Sequence, residues 1–285
     1  MKQYVRYLIP RIKYAYRQQY DLKNKIILSF RLIALFFLII LKKKEFIFTG
    51  NFGKEKFRVY LDLIKKKHGS RGYFLLREKQ EPILEFGHKF FNEGDVVIDC
   101  GANQGIFSLS FKSKIKKSGI IFCIEPFSYA TRKIKNNFIL NKFNNFFIYK
   151  NIVSNKIGLT KIYYSQGITD ASIVHKKNNY KIIRSITIDY LVKKHNLKKI
   201  NFLKLDIEGA ESSALLGAKN SISKFKPIIY LENNDINRFN LIINFLKKNY
   251  YPYYFEKNGK ITKLKKYLKG NILFLPKKSY NNITN

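Results

Sequence analysis

Short apolar runs alternate with helical segments along the part of the chain that follows Gly94. Each run holds five to eight residues and is bounded by polar residues or glycine. Strands of a parallel sheet covered on both faces have this form, because neither face meets water. The pattern predicts a doubly wound α/β domain, with a loop region between the third and fourth runs. The predicted strands are VVIDC at 96–100, GIIFCIE at 119–125, FFIYKNIV at 146–153, INFLKLD at 200–206 and PIIYLE at 227–232.

The C-terminal part breaks this rhythm. Residues 253–263 contain Asn258-Gly259, the strongest short-range signal for a β-hairpin, and NILFL at 271–275 has the composition of another strand. We therefore expect a mostly parallel sheet that ends in an antiparallel hairpin. On this basis the chain divides into a basic and apolar helical extension (1–45), a lead-in segment with short strands (46–93), the α/β domain (94–277) and a tail (278–285).

The N-terminal extension contains the apolar run Ile26–Leu41, which is interrupted by Arg31. Its ten uncharged residues from Leu32 cover about 15 Å as a helix, half of a bilayer core of about 30 Å, so a spanning helix is not expected. Lysines at 42–44 stand where a signal peptide would have its cleavage site, which disfavours export. Two interpretations remain: a helix lying on anionic lipid, or a helix packed on the domain.

Charge adds a second argument about partners. The chain has 55 basic and 19 acidic residues, a net charge of +36, which favours polyanionic partners such as nucleic acid or anionic lipid. Compositional drift toward lysine would give a similar total. Residues 1–45 nevertheless carry eleven basic and two acidic residues, a net +9 against +27 for the other 240, so positive charge is concentrated at the front.

The cysteine content bears on the cellular compartment. Two cysteines, Cys100 and Cys123, do not make a disulfide framework, and we expect them to be buried thiols in a reducing compartment. The expected location is the cytoplasm, with possible peripheral contact at a membrane surface through residues 1–44.

The first predicted strand runs into a turn rich in glycine. Residues 99–105 read DCGANQG, and a helix follows them. Gly101 and Gly105 allow a tight turn and a close approach of the backbone to a ligand, while the helix offers free N–H groups and its positive dipole end. The spacing differs from the G-x-G-x-x-G of dinucleotide-binding loops. We therefore expect a smaller anionic group at this loop, such as the carboxylate of a methionine moiety.

Acidic residues are concentrated at the ends of the predicted strands. Glu125 ends the second strand, where a carboxylate can accept both hydroxyl protons of a ribose; the alternative is a solvated strand-end acid. Ligands of open α/β sheets bind outside the carboxyl ends of the strands, so the clustering indicates a site. The acids at or just beyond these ends are Asp99, Glu125, Asp206, Glu208, Glu211 and Glu232.

Six stretches together resemble the FkbM-type methyltransferase family. They are DCGANQGIFS at 99–108, IEP at 124–126, TDAS at 169–172, SITIDYL at 185–191, FLKLDIEGAESSALLGA at 202–218 and YLEN at 230–233. The resemblance covers residues 94–233, 140 of 285. It implies the class I methyltransferase (Rossmann-like) fold, S-adenosylmethionine as cofactor, and methyl transfer to oxygen, most often a sugar hydroxyl of a glycan or glycolipid precursor.

The resemblance also implies roles for individual residues. On the cofactor side these are Asp99, Gly101, Asn103 and Gly105 at the methionine end, Glu125 at the ribose, Asn151 beside the adenine, and Asp206 between cofactor and acceptor. On the acceptor side they are Asp170 and Ser172 in a lid, with Glu211 and Glu232.

A sugar hydroxyl needs a base, and three residues are candidates. Asp206 and Glu208 follow the fourth strand, and His175 is a candidate because histidine is the side chain that most often serves as a general base near neutral pH; the alternative for His175 is a loop histidine without a role. A divalent metal on Asp206, Glu208 and Glu232 would also lower the hydroxyl pKa. No residue pattern requires the metal, and none is assigned.

Two other functions remain open. The net charge and twenty tyrosines would suit an RNA ribose 2′-O-methyltransferase that uses Lys204, Asp206 and Glu232. A noncatalytic module that binds a membrane surface or nucleic acid could also keep the fold. We prefer a sugar acceptor, because a binding module would have no need of the strand-end acids.

Overall fold

The computed structural model describes residues 22–41, 43, 45–63, 70–164 and 171–277. The predicted acceptor residue Asp170, the first half of the basic extension and the tail 278–285 lie outside these residues. Within them, the structure consists of an eight-stranded sheet, a three-stranded sheet, a hairpin and the helices that cover them.

The eight-stranded sheet is the centre of the molecule. Its order is β12-β11-β13-β10-β9-β3-β4-β5. Strands β10, β9, β3, β4 and β5 run parallel to one another, whereas β13, β11 and β12 pair antiparallel. The strands are β3 (Val96–Cys100), β4 (Ile120–Ile124), β5 (Phe146–Tyr149), β9 (Phe202–Leu205), β10 (Ile228–Asn233), β11 (Tyr250–Phe255), β12 (Ile261–Lys263) and β13 (Gly270–Pro276). The predicted α/β sheet with an antiparallel C-terminal hairpin is confirmed.

Helices connect the parallel strands. They are α4 (Ile106–Ile115), α5 (Ser128–Leu140), α6 (Ile188–Lys194), α7 (Glu211–Leu216), α8 (Lys219–Phe225) and α9 (Ile236–Leu246). Two start at side-chain caps: Thr187 accepts from the N–H of Tyr190, and Asp235 from that of Arg238. After β3 the chain lays β4 and β5 on one side and later places β9 and β10 on the other. The reversal opens a crevice at the carboxyl ends of β3, β4 and β9.

The region predicted as loop after the third run forms a second sheet, so that prediction is wrong. Its order is β6-β8-β7, with β6 (Ile152–Val153), β7 (Gly158–Tyr164) and β8 (Asn179–Ile186). The long run at 146–153 also divides, because its first half pairs with β4 and its last two residues pair with β8. Most residues of β7 and β8 are exposed or half-buried, and both strands are rich in polar residues. They therefore lack the continuous apolar run of a strand that is covered on both faces.

The front of the chain packs on the α/β domain. It contains α1 (Leu22–Ile40), the hairpin of β1 (Glu45–Phe52) and β2 (Glu55–Asp62), α2 (Ser70–Leu76) and α3 (Pro82–Phe86), with 3₁₀ turns at Arg77–Gln80 and Gly87–Phe90. Phe52 of the hairpin lies 5.5 Å from the Phe91 ring and 5.8 Å from the Phe111 ring. One hydrophobic core therefore runs across the predicted boundary at residue 93; the domain boundaries themselves stay predictions.

Helix α1 is held to the domain along one side. Leu28 and Leu35 are buried in the core, and Nη1 of Arg31 donates to the carbonyl of Leu75 at 3.0 Å. Among the described helices, α1 included, none has the length and apolarity that crossing a bilayer requires. Packing on the domain therefore accounts for one side of α1 only.

The shared core predicts that the hairpin contributes strongly to stability. Phe52→Ala should lower the free energy of unfolding by about 3–5 kcal/mol, because it removes a fully buried ring and leaves a cavity. Leu159→Ala, at a residue that is 79% exposed on β7, is the control and should change it by less than about 0.5 kcal/mol. Denaturant unfolding measures both, and similar values for the two variants would show that the hairpin is not part of the core.

Candidate active site

A cavity of about 220 Å³ lies at the carboxyl ends of β3, β4 and β9. Its floor is made by three loops, 101–104 after β3, 124–127 after β4 and 206–208 after β9. Apolar residues of the small sheet and of the segment between β7 and β8, including Ile152, Ile162 and Ile173, form another part of the wall. Gln80 and Glu81 complete it from the front of the chain.

Two glycines in the loop after β3 lie so close to neighbouring protein atoms that a side chain would not fit without displacement. Gly101 has φ +75°, and a Cβ there would lie 1.8 Å from the backbone oxygen of Asp206. Gly105, with φ +83°, precedes α4, and its Cβ would meet Ile134 at 3.1 Å. We expected these glycines to allow approach of a ligand. The structure shows that Gly101 allows the loops after β3 and β9 to touch.

Asp99 lies beneath the cavity and is fully buried. Its Oδ2 accepts from Oγ of Ser108 at 2.5 Å, and its Oδ1 is 3.3 Å from Nζ of Lys204. The same Nζ lies 3.3 Å from Oδ2 of Asp206 and 4.6 Å from the centre of the Phe107 ring. Burial lowers the pKa of Lys204, but the two carboxylates outweigh it and hold the pKa above its ordinary value. Asp99 therefore supports the loop and is absent from the cavity wall.

Glu125 lines the cavity at the end of β4. Oε1 of its carboxylate accepts from the N–H of Phe127 at 3.1 Å, and Oε2 accepts from the N–H of Asn103 at 3.0 Å. Burial raises the pKa of Glu125 to about 7. The two backbone donors fix the carboxylate and leave each oxygen a lone pair, which is the arrangement that two ribose hydroxyls would need.

The turn after β9 presents Asp206 and Glu208 to the cavity. Glu208 has φ +55°, an uncommon conformation for a residue with a side chain. Oε1 of Glu211 accepts from the N–H groups of Ile207 and Gly209 at 3.0 and 3.2 Å, and Oγ of Ser172 donates to the carbonyl of Glu208 at 2.6 Å. Glu211 and Ser172, predicted to contact the acceptor, are thus engaged in holding this turn.

Several acids in and near the cavity have raised pKa values. Burial and the neighbouring acids, with Glu232 and Asp206 foremost, raise the pKa of Glu208 to about 7. Burial, and then Asp206, raises the pKa of Glu232 and raises that of Glu81 to about 7. Such shifts are common where carboxylates serve as acids or bases.

The remaining predicted residues divide between the wall and its surroundings. Asn151 lines the cavity, and its Nδ2 donates to the carbonyl of Arg184 at 2.9 Å. Glu232 and His175 are not on the wall. His175 is exposed, with Nε2 3.4 Å from Nη1 of Arg238. Sequence reasoning missed Glu81 as a cavity residue, because the Glu81-Pro82 pair suggests a helix start and nothing more.

The residues present fit S-adenosylmethionine. Glu125 is ready for a diol, and Gln104 on the wall has a buried Nε2 with no hydrogen-bond partner among the described residues. A ligand with acceptor atoms would satisfy this donor.

Among the described residues, no group of three His, Cys, Asp or Glu side chains could hold a metal ion. Cys100 and Cys123 are free and buried, and burial raises the pKa of both thiols, as expected for inert core cysteines.

A sheet of this order with a cavity at its carboxyl ends defines a class I methyltransferase fold. Residues 99–253, more than half of the chain, match the family model described as the methyltransferase FkbM domain. The chain therefore belongs to the FkbM methyltransferase family. The predictions of the family, the fold class, a methyltransferase and S-adenosylmethionine as its cofactor are confirmed.

Two of the solved structures that are similar to this chain are named as a methyltransferase and a methylase. The FkbM methyltransferase of Methylobacillus flagellatus KT is 19% identical, with a TM-score of 0.44, over 72% of this chain and 52% of that one. The present chain thus spans about half of that protein. A putative rRNA methylase from Clostridium thermocellum is 12% identical, with a TM-score of 0.43, over 67% and 89% of the two chains. A search of curated proteins gives no match.

The position of Glu125 predicts that its carboxylate contributes measurably to the free energy of cofactor binding. Glu125→Ala should weaken binding of S-adenosylmethionine by about 1.5–3 kcal/mol, the scale of hydrogen bonds to a charged group. Wild-type affinity should rise as the pH passes upward through about 7, because the ionised carboxylate is the stronger acceptor, and the variant should show a smaller rise. Calorimetry gives both values, with Glu93→Ala, an exposed acid away from the cavity, as control. An unchanged affinity in a folded Glu125 variant would remove the residue from the site.

Proposed function

We propose that this protein methylates a hydroxyl oxygen of a sugar in a glycan or glycolipid precursor. The observation that carries the proposal is that the cavity wall combines a carboxylate held for a diol with three further acids. Glu125 and the loop after β3 suit the cofactor, whereas Asp206, Glu208 and Glu81 suit groups that donate hydrogen bonds.

Methyl transfer to a hydroxyl requires alignment of the oxygen and removal of its proton. When bound, S-adenosylmethionine supplies a methyl group on a positively charged sulfur. Glu208 is the base we propose, because it lies on the wall and its pKa of about 7 lets it accept a proton near neutral pH. Asp206 is held beside Lys204 and would orient the hydroxyl. The apolar residues from the small sheet limit the access of water.

The charge of the cavity favours a neutral sugar over RNA. Several acids face one another there, and they would repel a phosphate backbone brought to the same place. The large positive charge of the chain acts from outside, where salt screens it over about 8–10 Å. The local acids therefore decide what enters, and hydroxyl groups are the donors that suit them.

Incubation with methyl-labelled S-adenosylmethionine tests the proposal. Glycan precursors, lipid-linked sugars and RNA serve as parallel acceptors, and we expect label on a sugar oxygen. Label on RNA ribose would support the 2′-O-methyltransferase instead. Tight cofactor binding without transfer to any of them would support the binding module.

The role of Glu208 is tested with the acceptor that this assay identifies. Glu208→Gln should lower turnover by about 10²–10⁴, the usual loss on removal of a general base, and should leave cofactor affinity nearly unchanged. Glu93→Gln is the matched control. Full activity of the Glu208 variant would reject this role, and an equal loss of cofactor affinity would assign Glu208 to the cofactor.

Contact with an anionic membrane is a second part of the proposal, and α1 supports it. The side of α1 opposite Leu28 and Leu35 exposes large apolar residues at intervals of three or four, which form one stripe on a helix. The stripe consists of Leu22, Ile26, Phe30, Ile33, Phe37 and Ile40. Lys23, Lys25 and Lys43 are exposed beside it, and each basic residue near an anionic surface contributes about 1 kcal/mol. A helix with an exposed apolar stripe and basic residues beside it has the features of helices that lie on anionic bilayers.

The stripe predicts vesicle binding that depends on salt. Wild-type protein should sediment with phosphatidylserine-containing vesicles at low salt and less at high salt. Phe30→Ser with Phe37→Ser, at residues 68% and 56% exposed, should abolish most of this binding, whereas Leu159→Ser should not. Wild-type protein that ignores these vesicles at low salt would contradict the contact. Loss of a dimer in the double variant, with vesicle binding unchanged, would assign the stripe to a second copy.

A further inference from the structure

A carboxylate from the front of the chain reaches the cavity. Glu81 follows the 3₁₀ turn Arg77–Gln80, and both Gln80 and Glu81 lie on the wall together with Asp206 and Glu208. The turn belongs to the segment whose β-hairpin and helices share the core of the main sheet. The position of Glu81 is therefore set by packing in the same core.

Helix capping does not explain the side chain of Glu81. The residue is the N-cap of α3 with Pro82 after it, yet its carboxylate makes no capping bond. Ser, Thr, Asp and Asn are the residues that favour this position. Instead, Oε2 of Glu81 accepts from Nδ2 of Asn271 on β13 at 2.7 Å. The carboxylate of Glu81 is thus held by Asn271 and does not cap the helix.

The surroundings of Glu81 call for a hydrogen-bond donor. Burial and the charge of Asp206 raise its pKa to about 7, and Glu232 acts in the same direction, while Asn271 and Lys204 oppose them. A buried carboxylate close to other acids is costly unless it is paired. A hydroxyl or amine brought into the cavity would offset that cost.

Both Glu81 and Asn271 lie outside the residues that match the family. The match covers 99–253 and includes Glu125, Asp206 and Glu208. Glu81 and Asn271 are therefore contributed by segments on either side of the matched part, and they meet beside the cavity.

We propose that Glu81 contacts the acceptor at the point of methyl transfer and that Asn271 positions its carboxylate there. The acceptor is of the class given above, neutral and rich in hydroxyl groups. The identity of this acceptor rests on the proposed function, whereas the place of Glu81 in the cavity does not.

Two cofactor analogues test the place of Glu81 without an acceptor. Sinefungin has a carbon in place of the sulfur and a charged amine in place of the transferred methyl group, whereas S-adenosylhomocysteine has a neutral sulfur without the methyl group. Glu81→Gln keeps an oxygen that can accept from Asn271. In calorimetry the variant should bind sinefungin about tenfold more weakly, the scale of one charge-assisted hydrogen bond, and S-adenosylhomocysteine equally well. Glu85→Gln, on α3 and away from the wall, is the control and should change neither affinity.

Each other outcome contradicts the proposal. Equal loss for both analogues would place Glu81 at the methionine end, and no loss for either would place it away from the transfer point. Asn271→Ala should weaken sinefungin binding by a smaller factor than Glu81→Gln; an unaltered value would remove the positioning role. Once an acceptor is known, Glu81→Gln should raise its KM or lower kcat and leave the KM for S-adenosylmethionine unchanged. Failure to methylate any sugar would overturn the proposed function and leave the analogue result intact.

Discussion

A single buried ammonium group joins the two strand ends on which the cavity is built. Lys204 of β9 lies directly opposite Asp99 of β3 in the sheet register, and its Nζ stands between the carboxylates of Asp99 and Asp206. Lys204 is 1% exposed and Asp99 is 0% exposed, so the pair has given up its hydration and depends on its mutual contacts. Asp99 in turn binds Ser108 of α4. Two strands, a helix and the turn after β9 therefore meet at one charge.

The backbone around this charge is as constrained as the side chains. Gly101 and the carbonyl of Asp206 touch closely enough that no Cβ fits between them. The ion pair and the glycine thus act together, because the first draws the two loops together and the second allows the contact. Glu81 and Glu208 on the wall are consequently close to other acids and partly removed from water. Their raised pKa values follow from burial and from this crowding.

The sequence allowed the central strands and the family to be predicted for physical reasons. Strands β3, β4, β9 and β10 are covered on both faces, so their residues are almost all apolar. Strands β7 and β8 are exposed or half-buried and contain many polar residues, so no apolar run in the sequence predicts the small sheet in which they pair. Asp99 lies in β3 under the cavity and was expected to contact the cofactor, because its partner Lys204 comes from a strand about a hundred residues later and could not be recognised from the sequence. Glu81 could not be found, because packing of the front segment brings it to the wall.

Opposite charges outside and inside the cavity set different requirements for a partner. The chain as a whole is strongly basic and would attract anionic surfaces. Salt limits this attraction to distances of about 10 Å. The cavity wall carries Asp206, Glu208 and Glu81, and these acids would repel a bare phosphate brought there. A molecule that meets both requirements has an anionic part that stays outside and a neutral part with hydroxyl groups that enters. A sugar joined through phosphate to a lipid is such a molecule.

The exposed stripe of α1 is consistent with a lipid-linked acceptor, because α1 contacts α2, and α2 leads through the 3₁₀ turn to Glu81. On the proposed function, the surface that meets the lipid and the wall that meets the sugar are thus joined by one short stretch of chain.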